Sequence, residues 1–299
     1  MPIPRSTTLL PVIAIGLLWG LNWPAVKFML TELPPLTIRA VAFPVAALIL
    51  AMLTRAAGQK LRPEPGEILP IIVTGVLVVF GFNVLTTLGQ LQTETSKAVI
   101  IAYTMPGMTA VLAATILGEK LTGRQILAVL VGTSGLAVLA SEDLDGLFAR
   151  PLGPVIMLLA ALSWSLGNVA LKARKWSLSS LALTVWFFVI SAIFCAPLAI
   201  IFEPPWQQAW PSSPVLWTWA YHILGPMVVC YALWTVIVGK LPASTAAITA
   251  LLAPVVGMSS AVILLSEPVT WQKLVALLMV LVSITLVLLP SPARRVSSR

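Results

Sequence analysis

Apolar residues in this chain come in long unbroken runs, separated by short polar connections, rather than in the alternation of a half-buried strand. The runs cover residues 9–30, 36–54, 68–89, 96–117, 125–141, 152–171, 179–202, 215–239, 245–265 and 271–289. Each approaches the roughly 20 residues that an α-helix needs to cross about 30 Å of hydrocarbon. Only helices and closed barrels keep every backbone donor and acceptor paired in lipid, and continuous runs select helices. The connections carry turn signals at Pro34-Pro35 and in the stretches 58–66, 146–154 and 204–214. The first run is long enough to span, and no small-residue cleavage site follows it, so it reads as a helix and not as a removed signal. The pattern predicts an all-α membrane protein with ten transmembrane helices.

Composition agrees with the pattern. Of the 299 residues, 59% are hydrophobic and only 9% charged, and the mean hydropathy is +1.01. A soluble domain carries roughly a quarter of its residues charged, so most of this outer surface must face lipid. The net charge of +8 does not point to nucleic acid, because the basic residues sit in short loops between apolar runs, the pattern of membrane orientation. Placing the N-terminus in the cytoplasm collects Arg5, Arg55, Lys60, Arg62, Lys120, Arg124, Lys172, Arg174, Lys175, Lys240, Arg294, Arg295 and Arg299 on that side. Only Lys97, Arg150 and Lys273 fall on the other, with Lys27 and Arg39 left uncounted near helix ends. Both termini are therefore predicted to be cytoplasmic. The acidic residues Glu142, Asp143 and Asp145 then lie outside. Cys195 and Cys230 lie inside apolar runs, where cysteine behaves as a small hydrophobe, and they offer no metal-ligand or disulfide spacing. No cofactor is implied.

An internal repeat says more. At an offset of 148 positions, Ser96, Ala98, Ile100, Ala102, Pro106, Ala113, Leu117, Glu119, Thr122, Ala128 and Leu130 all meet identical residues, among them Pro254, Glu267 and Thr270. At an offset of 145, Trp19, Leu21, Ala25 and Lys27 meet Trp164, Leu166, Ala170 and Lys172. The halves 1–147 and 148–299 thus hold five runs each. An odd number of spans forces the halves into opposite orientations, which makes two inverted five-helix repeats. That is a recurring plan of secondary transporters, with the substrate site near the midplane between the repeats.

Particular motifs carry a family resemblance across the whole chain. The stretch Leu18-Trp19-Gly20-Leu21-Asn22-Trp23 resembles the opening helix of the EamA-type branch of the drug/metabolite transporter superfamily. So do Ala102-Tyr103-Thr104-Met105-Pro106 and Leu117-Gly118-Glu119-Lys120-Leu121-Thr122, with their echoes Ala253-Pro254 and Ser266-Glu267-Pro268. Within that branch the chain is most similar to bacterial exporters of aromatic amino acids, the YddG type. The resemblance implies ten helices, a location in the cell inner membrane, and export of amino acids or other metabolites.

Polar side chains inside spans are costly unless they serve a purpose. Trp19, Asn22 and Trp23 share one helical face, as do Trp164 and Asn168 in the sixth run. Asn83, Thr86 and Thr87 share a face in the third run, and Tyr231, Trp234 and Thr235 share the corresponding face 148 residues on. Together they predict a cavity for an organic substrate with an apolar side chain. The alternative reading makes the Asn and Thr packing glue between helices and the Trp an interfacial belt. Pro106 and Pro254 stand at matching places in the fourth and ninth runs and would free the carbonyls of Ala102 and Ala250, bending helices beside the cavity and Tyr103. Lys27 and Lys172 are expected to snorkel at opposite faces, with a substrate carboxylate as the other reading for Lys27. Glu119 and Glu267 are expected to bond loop donors, and His222 to act as an interfacial hydrogen-bonder. Gly16, Gly20, Gly75, Gly132 and Gly135 are expected to let helices approach closely.

No Asp or Glu falls in the middle of a span, which argues against a proton antiporter for organic cations. No P-loop is present to bind a nucleotide. A membrane-embedded lipid-modifying enzyme would need clustered His, Asp, Glu or Cys near one interface, and the chain has a single His. A simple channel fits the inverted repeat less well than a rocking carrier. The expectation is a non-enzymatic exporter of amino acids, aromatic ones first, with the alternatives of a cation or drug exporter and of the enzyme. The sequence assigns no oligomeric state.

Overall fold

The computed structural model describes residues 5–234 and 243–288, with side chains described for residues 11, 13–234 and 251–288. Thr235, Gly239, Lys240, Arg294, Arg295 and Arg299 lie outside the described residues, as do the side chains of Arg5, Ser244 and Ala250. The described residues form ten long helices and no strand. These are α1 (Arg5–Met29), α2 (Pro35–Ala56), α3 (Pro65–Gln92), α4 (Thr95–Leu117), α5 (Gly123–Ala140), α6 (Leu152–Lys172), α7 (Ser180–Phe202), α8 (Ser213–Trp234), α9 (Ala243–Leu265) and α10 (Trp271–Leu288). Eight are long and apolar enough to cross a membrane, and α1 and α9 contain the shorter described apolar stretches Ile13–Met29 and Leu251–Leu265. Each helix overlaps one of the predicted apolar runs.

Loop contacts sort the connections onto two ends. At one end, Lys97 and Lys273 both approach Glu142, at 3.5 and 3.8 Å, joining the α3–α4, α5–α6 and α9–α10 connections. The α1–α2 and α7–α8 connections join each other there: Glu32 accepts from the amide and hydroxyl of Ser212, both at 2.6 Å, and Glu203 accepts from the amide of Thr37 at 2.6 Å. The Ser212 hydroxyl and amide hold the Glu32 carboxyl below its usual range. At the other end Lys172 pairs with Glu119 at 2.6 Å, and Glu67 accepts from the Ser177 amide at 2.6 Å. This is the alternation that ten antiparallel crossings require. Helix pairing obeys the repeat as well. The helix α1 packs on α9 and α8, and its repeat equivalent α6 packs on α4 and α3, while α2 pairs with α7 and α5 with α10.

Small residues set the closest approaches, as the sequence predicts. A Cβ built on Gly16 would lie 2.9 Å from Cβ of Leu252, and one on Gly20 would lie 2.5 Å from Cβ of Val256 and 3.0 Å from the Ala253 carbonyl. A Cβ on Gly75 would lie 3.1 Å from Cα of Phe187, and Cβ atoms on Gly132 and Gly135 would lie 3.0 and 3.1 Å from Ser283 and Met279 of α10. With lipid as apolar as the helices, such close van der Waals packing is what joins them. Gly20→Leu should therefore cost about 1–3 kcal/mol through overpacking, read as a lower unfolding midpoint in detergent. Gly123→Leu is the control, since a Cβ there meets nothing within 4 Å.

Three helices are interrupted near their middles. In α3 a π-helical segment covers Val76–Gly81, and in α8 one covers Ile223–Cys230, the same place in the second repeat. In α4 the helix stops at Ala102 and restarts at Met105, with Tyr103 and Thr104 forming a turn. Its repeat counterpart differs, because α9 runs as one helix from Ala243 to Leu265 through Pro254. The chain is thus interrupted just before Pro106 in α4, while α9 carries Pro254 inside a continuous helix.

Candidate transport site

The interruptions surround a cavity of about 410 Å³ between the two halves. Its wall receives Trp19, Asn22 and Trp23 from α1, Asn83 from α3, Tyr103 and Pro106 from α4, Trp164 and Asn168 from α6, and Tyr231 and Trp234 from α8. These are the residues that the sequence places there. Pro254 does not reach the cavity, and its neighbour Ala253 does.

The aromatic rings form linked groups rather than separate belts. Trp19 meets Tyr231 edge-on at 5.8 Å between centroids and lies 5.7 Å from Trp234. Trp23 lies 6.4 Å from Tyr103, and Phe82 lies 4.8 Å from Trp164. The π-helical segments explain how these walls are fixed. A widened turn loosens the regular backbone pairing, and in lipid any freed carbonyl must find another donor. The Trp19 indole N–H donates to the Pro226 carbonyl at 3.2 Å, and in the other half the Ser163 hydroxyl donates to the Leu77 carbonyl at 2.7 Å. The amides of Asn83 and Asn168 donate into their own helices, to the carbonyls of Val79 and Trp164, both at 2.8 Å. Each amide oxygen is then what these residues offer as an acceptor.

One charged chain was not legible in the sequence. Arg39 is 1% exposed and borders the cavity. Its Nε donates to the Thr87 hydroxyl at 2.8 Å, and its Nη1 lies 2.8 Å from His222 Nε2. His222 Nδ1 lies 2.6 Å from Asn22 Oδ1. A guanidinium has no acceptor, so Nε2 must accept and Nδ1 must carry the proton that Asn22 receives, which makes this imidazole neutral. His222 is fully buried and acts as the expected hydrogen-bonder, between Arg39 and Asn22. Arg39 counted as a helix-end residue because it lies little more than one turn after Pro35. The position of α7 and α8 over that turn, and not its depth in α2, is what buries it. A signal was available in the spacing: a charged residue inside an apolar run is a functional candidate wherever it falls.

The remaining charges sit at the ends of the cavity. Lys27 donates to the carbonyls of Gln90 and Thr93, the latter at 3.2 Å, so it caps the C-terminus of α3 and neither snorkels freely nor faces the cavity. Glu267 accepts from the amides of Thr95 and Ser96 at 2.7 and 2.8 Å, the expected role. Glu119 pairs with Lys172 instead of a loop donor. Both line the cavity mouth and stay open to solvent, with side chains 42% and 63% exposed. The opposite end is sealed. There Lys273, fully buried, bonds Glu94 and the Pro268 carbonyl, and Lys97 lies between Glu94 and Glu142.

The fold and cavity can be set beside known proteins. The profile of the EamA-like transporter family matches residues 6–141 and again 151–289. The chain belongs to the EamA-like transporter family. Relatives of this EamA protein include the uncharacterized transporter YoaV of Bacillus subtilis (strain 168), 23% identical over 91% of this chain and 93% of that one. A "probable amino-acid metabolite efflux pump" of Escherichia coli (strain K12) is 26% identical over 86% of each chain. Its Salmonella typhimurium counterpart of the same description is 24% identical over 89% and 90%. A protein of known crystal structure shares the fold, with a TM-score of 0.68 and 20% identity over 94% of this chain and 96% of that one. The EamA protein is therefore a multi-pass membrane transporter of small molecules.

Proposed function

We propose that this EamA transporter exports amino acids with large apolar side chains, phenylalanine, tyrosine and tryptophan first, across the cell inner membrane, with both termini in the cytoplasm. The observation that carries the reading is the central cavity, whose volume of about 410 Å³ falls in the range of small-molecule sites, about 300–1,000 Å³. Its wall joins aromatic rings to a few amides and hydroxyls, and among the described residues its only carboxylate, Glu119, sits at the mouth. A buried guanidinium and no midspan acid disfavour an organic cation. The efflux-pump relatives support the amino-acid class.

The mechanism is alternating access between the halves 1–147 and 148–299. The open Lys172 end is the cytoplasmic one under the basic-residue count, so this conformation faces inward. The repeat describes the other state: α9 breaks at Pro254 as α4 straightens at Pro106, and the Glu119 end closes as the Glu267 end opens. Purified protein in liposomes should exchange labelled phenylalanine by counterflow and take acidic amino acids poorly, with and without a pH gradient to show any proton coupling. Movement of cations alone would reject the amino-acid assignment.

A further inference from the structure

We propose that Arg39 and Gln90 form a head-group clamp for an α-amino acid, Arg39 holding the carboxylate and the Gln90 side-chain oxygen accepting from the ammonium. The inference rests on the amino-acid reading of the cavity and adds to it which atoms recognise which end of the substrate.

Two independent observations meet here. Arg39 is buried beside the cavity, its partners among the described residues are the neutral Thr87 and His222, and the ion pairs among those residues involve Lys97, Lys172 and Lys273 but not Arg39. A guanidinium has five N–H donors, and the contacts with Thr87 and His222 use one on Nε and one on Nη1. An uncompensated cation in a membrane interior is retained where a ligand completes it, and the planar fork of Arg matches a carboxylate in two parallel bonds. Gln90 is 1% exposed, lines the same cavity, and its Oε1 has no hydrogen-bond partner among the described residues. It stands one turn beyond Thr87 on α3, on the face that carries Asn83 and Thr86. A buried acceptor without a donor is costly, and an ammonium supplies the donor. With the head group held at this sealed end, the side chain of the substrate extends toward the rings of Trp19, Trp164 and Tyr103.

The test is a set of phenylalanine relatives competing for counterflow of labelled phenylalanine in liposomes. In the wild type, phenylalaninamide and phenethylamine, which lack the carboxylate, should compete roughly 10- to 100-fold more weakly than phenylalanine, the range of one charge-assisted bond. Arg39→Gln should raise the KM for phenylalanine by a similar factor and erase the preference over phenylalaninamide, and Arg39→Lys should restore part of it. Gln90→Met should instead erase the preference for phenylalanine over 3-phenylpropionate, which lacks the ammonium. Equal competition by phenethylamine in the wild type would overturn the clamp without any variant being folded. An unaltered preference for the carboxylate in folded Arg39→Gln would overturn it too. If the wild type moves no amino acid at all, the proposed function fails first, and the two failures are distinct.

Discussion

Lys273→Gln should shift the transporter toward the state that opens at the Lys273 end. The side chain is fully buried and holds Glu94, while Glu142 lies within 3.8 Å. Glu142 Oε2 already has no hydrogen-bond partner among the described residues. Removing the cation leaves the two carboxylates only the longer contacts of Lys97, at 3.9 and 3.5 Å. Because Glu94 is 37% exposed, the loss is about 1–3 kcal/mol rather than that of a fully buried pair. In the opposite state these acids meet water, so the penalty falls on the sealed conformation alone and the equilibrium moves by roughly one to two orders of magnitude. Lys172→Gln at the open mouth should do little, because its pair with Glu119 is largely exposed and such pairs contribute about 0–1 kcal/mol. An Ala110→Cys reporter in the cavity wall reads the outcome, since native Cys195 and Cys230 are both buried. Lys273→Gln should raise its labelling by an impermeant maleimide from the Lys273 side, and Lys172→Gln should not. Equal labelling in all three proteins would remove the latch from the mechanism.

Pro106→Ala and Tyr103→Ala should each slow transport by about tenfold or more while the protein stays folded. The turn at Tyr103 and Thr104 is held by few bonds: Tyr103 N–H donates to Val99, and the Thr104 hydroxyl to Ile101, at 3.0 and 2.7 Å. Proline at 106 cannot donate to the Ala102 carbonyl, and replacing it removes a bias of about 3 kcal/mol against a continuous helix. The interrupted conformation of α4 then loses its advantage over the straight one, and the cycle stalls in the other state. Tyr103→Ala acts differently, by removing the ring that meets Trp23 at 6.4 Å and part of the cavity wall. Pro254→Ala should bias the equilibrium the opposite way, since α9 is already continuous here and would break only in the alternate state. Labelling of the Ala110→Cys reporter from the two sides distinguishes these directions. Unchanged rates in both α4 variants would place the pathway elsewhere.

Much of the architecture lay in linear information. Run length decides whether a helix can cross hydrocarbon, the offset of 148 residues between Pro106 and Pro254 or Glu119 and Glu267 decides that the halves repeat, and the five runs per half decide that they repeat in inverted orientation. The cavity residues from Trp19 to Trp234 were legible for the same reason: a helical face follows from spacing, and repeat equivalents single out one face from several. Phe82, one residue from Asn83, was missed because a phenylalanine in an apolar run carries no signal of its own. The sequence could not decide the environment of Arg39, since burial near a helix end depends on which neighbours cover that turn. It could not decide that Gln90 would lack a donor or that α3 and α8 would widen into π turns, because both depend on the helices packed against them. Nor could it say which end is sealed. Two nearly equivalent repeats define two nearly equivalent closures, and only the tertiary arrangement of Lys273, Glu94 and Glu142 against Lys172 and Glu119 selects one of them.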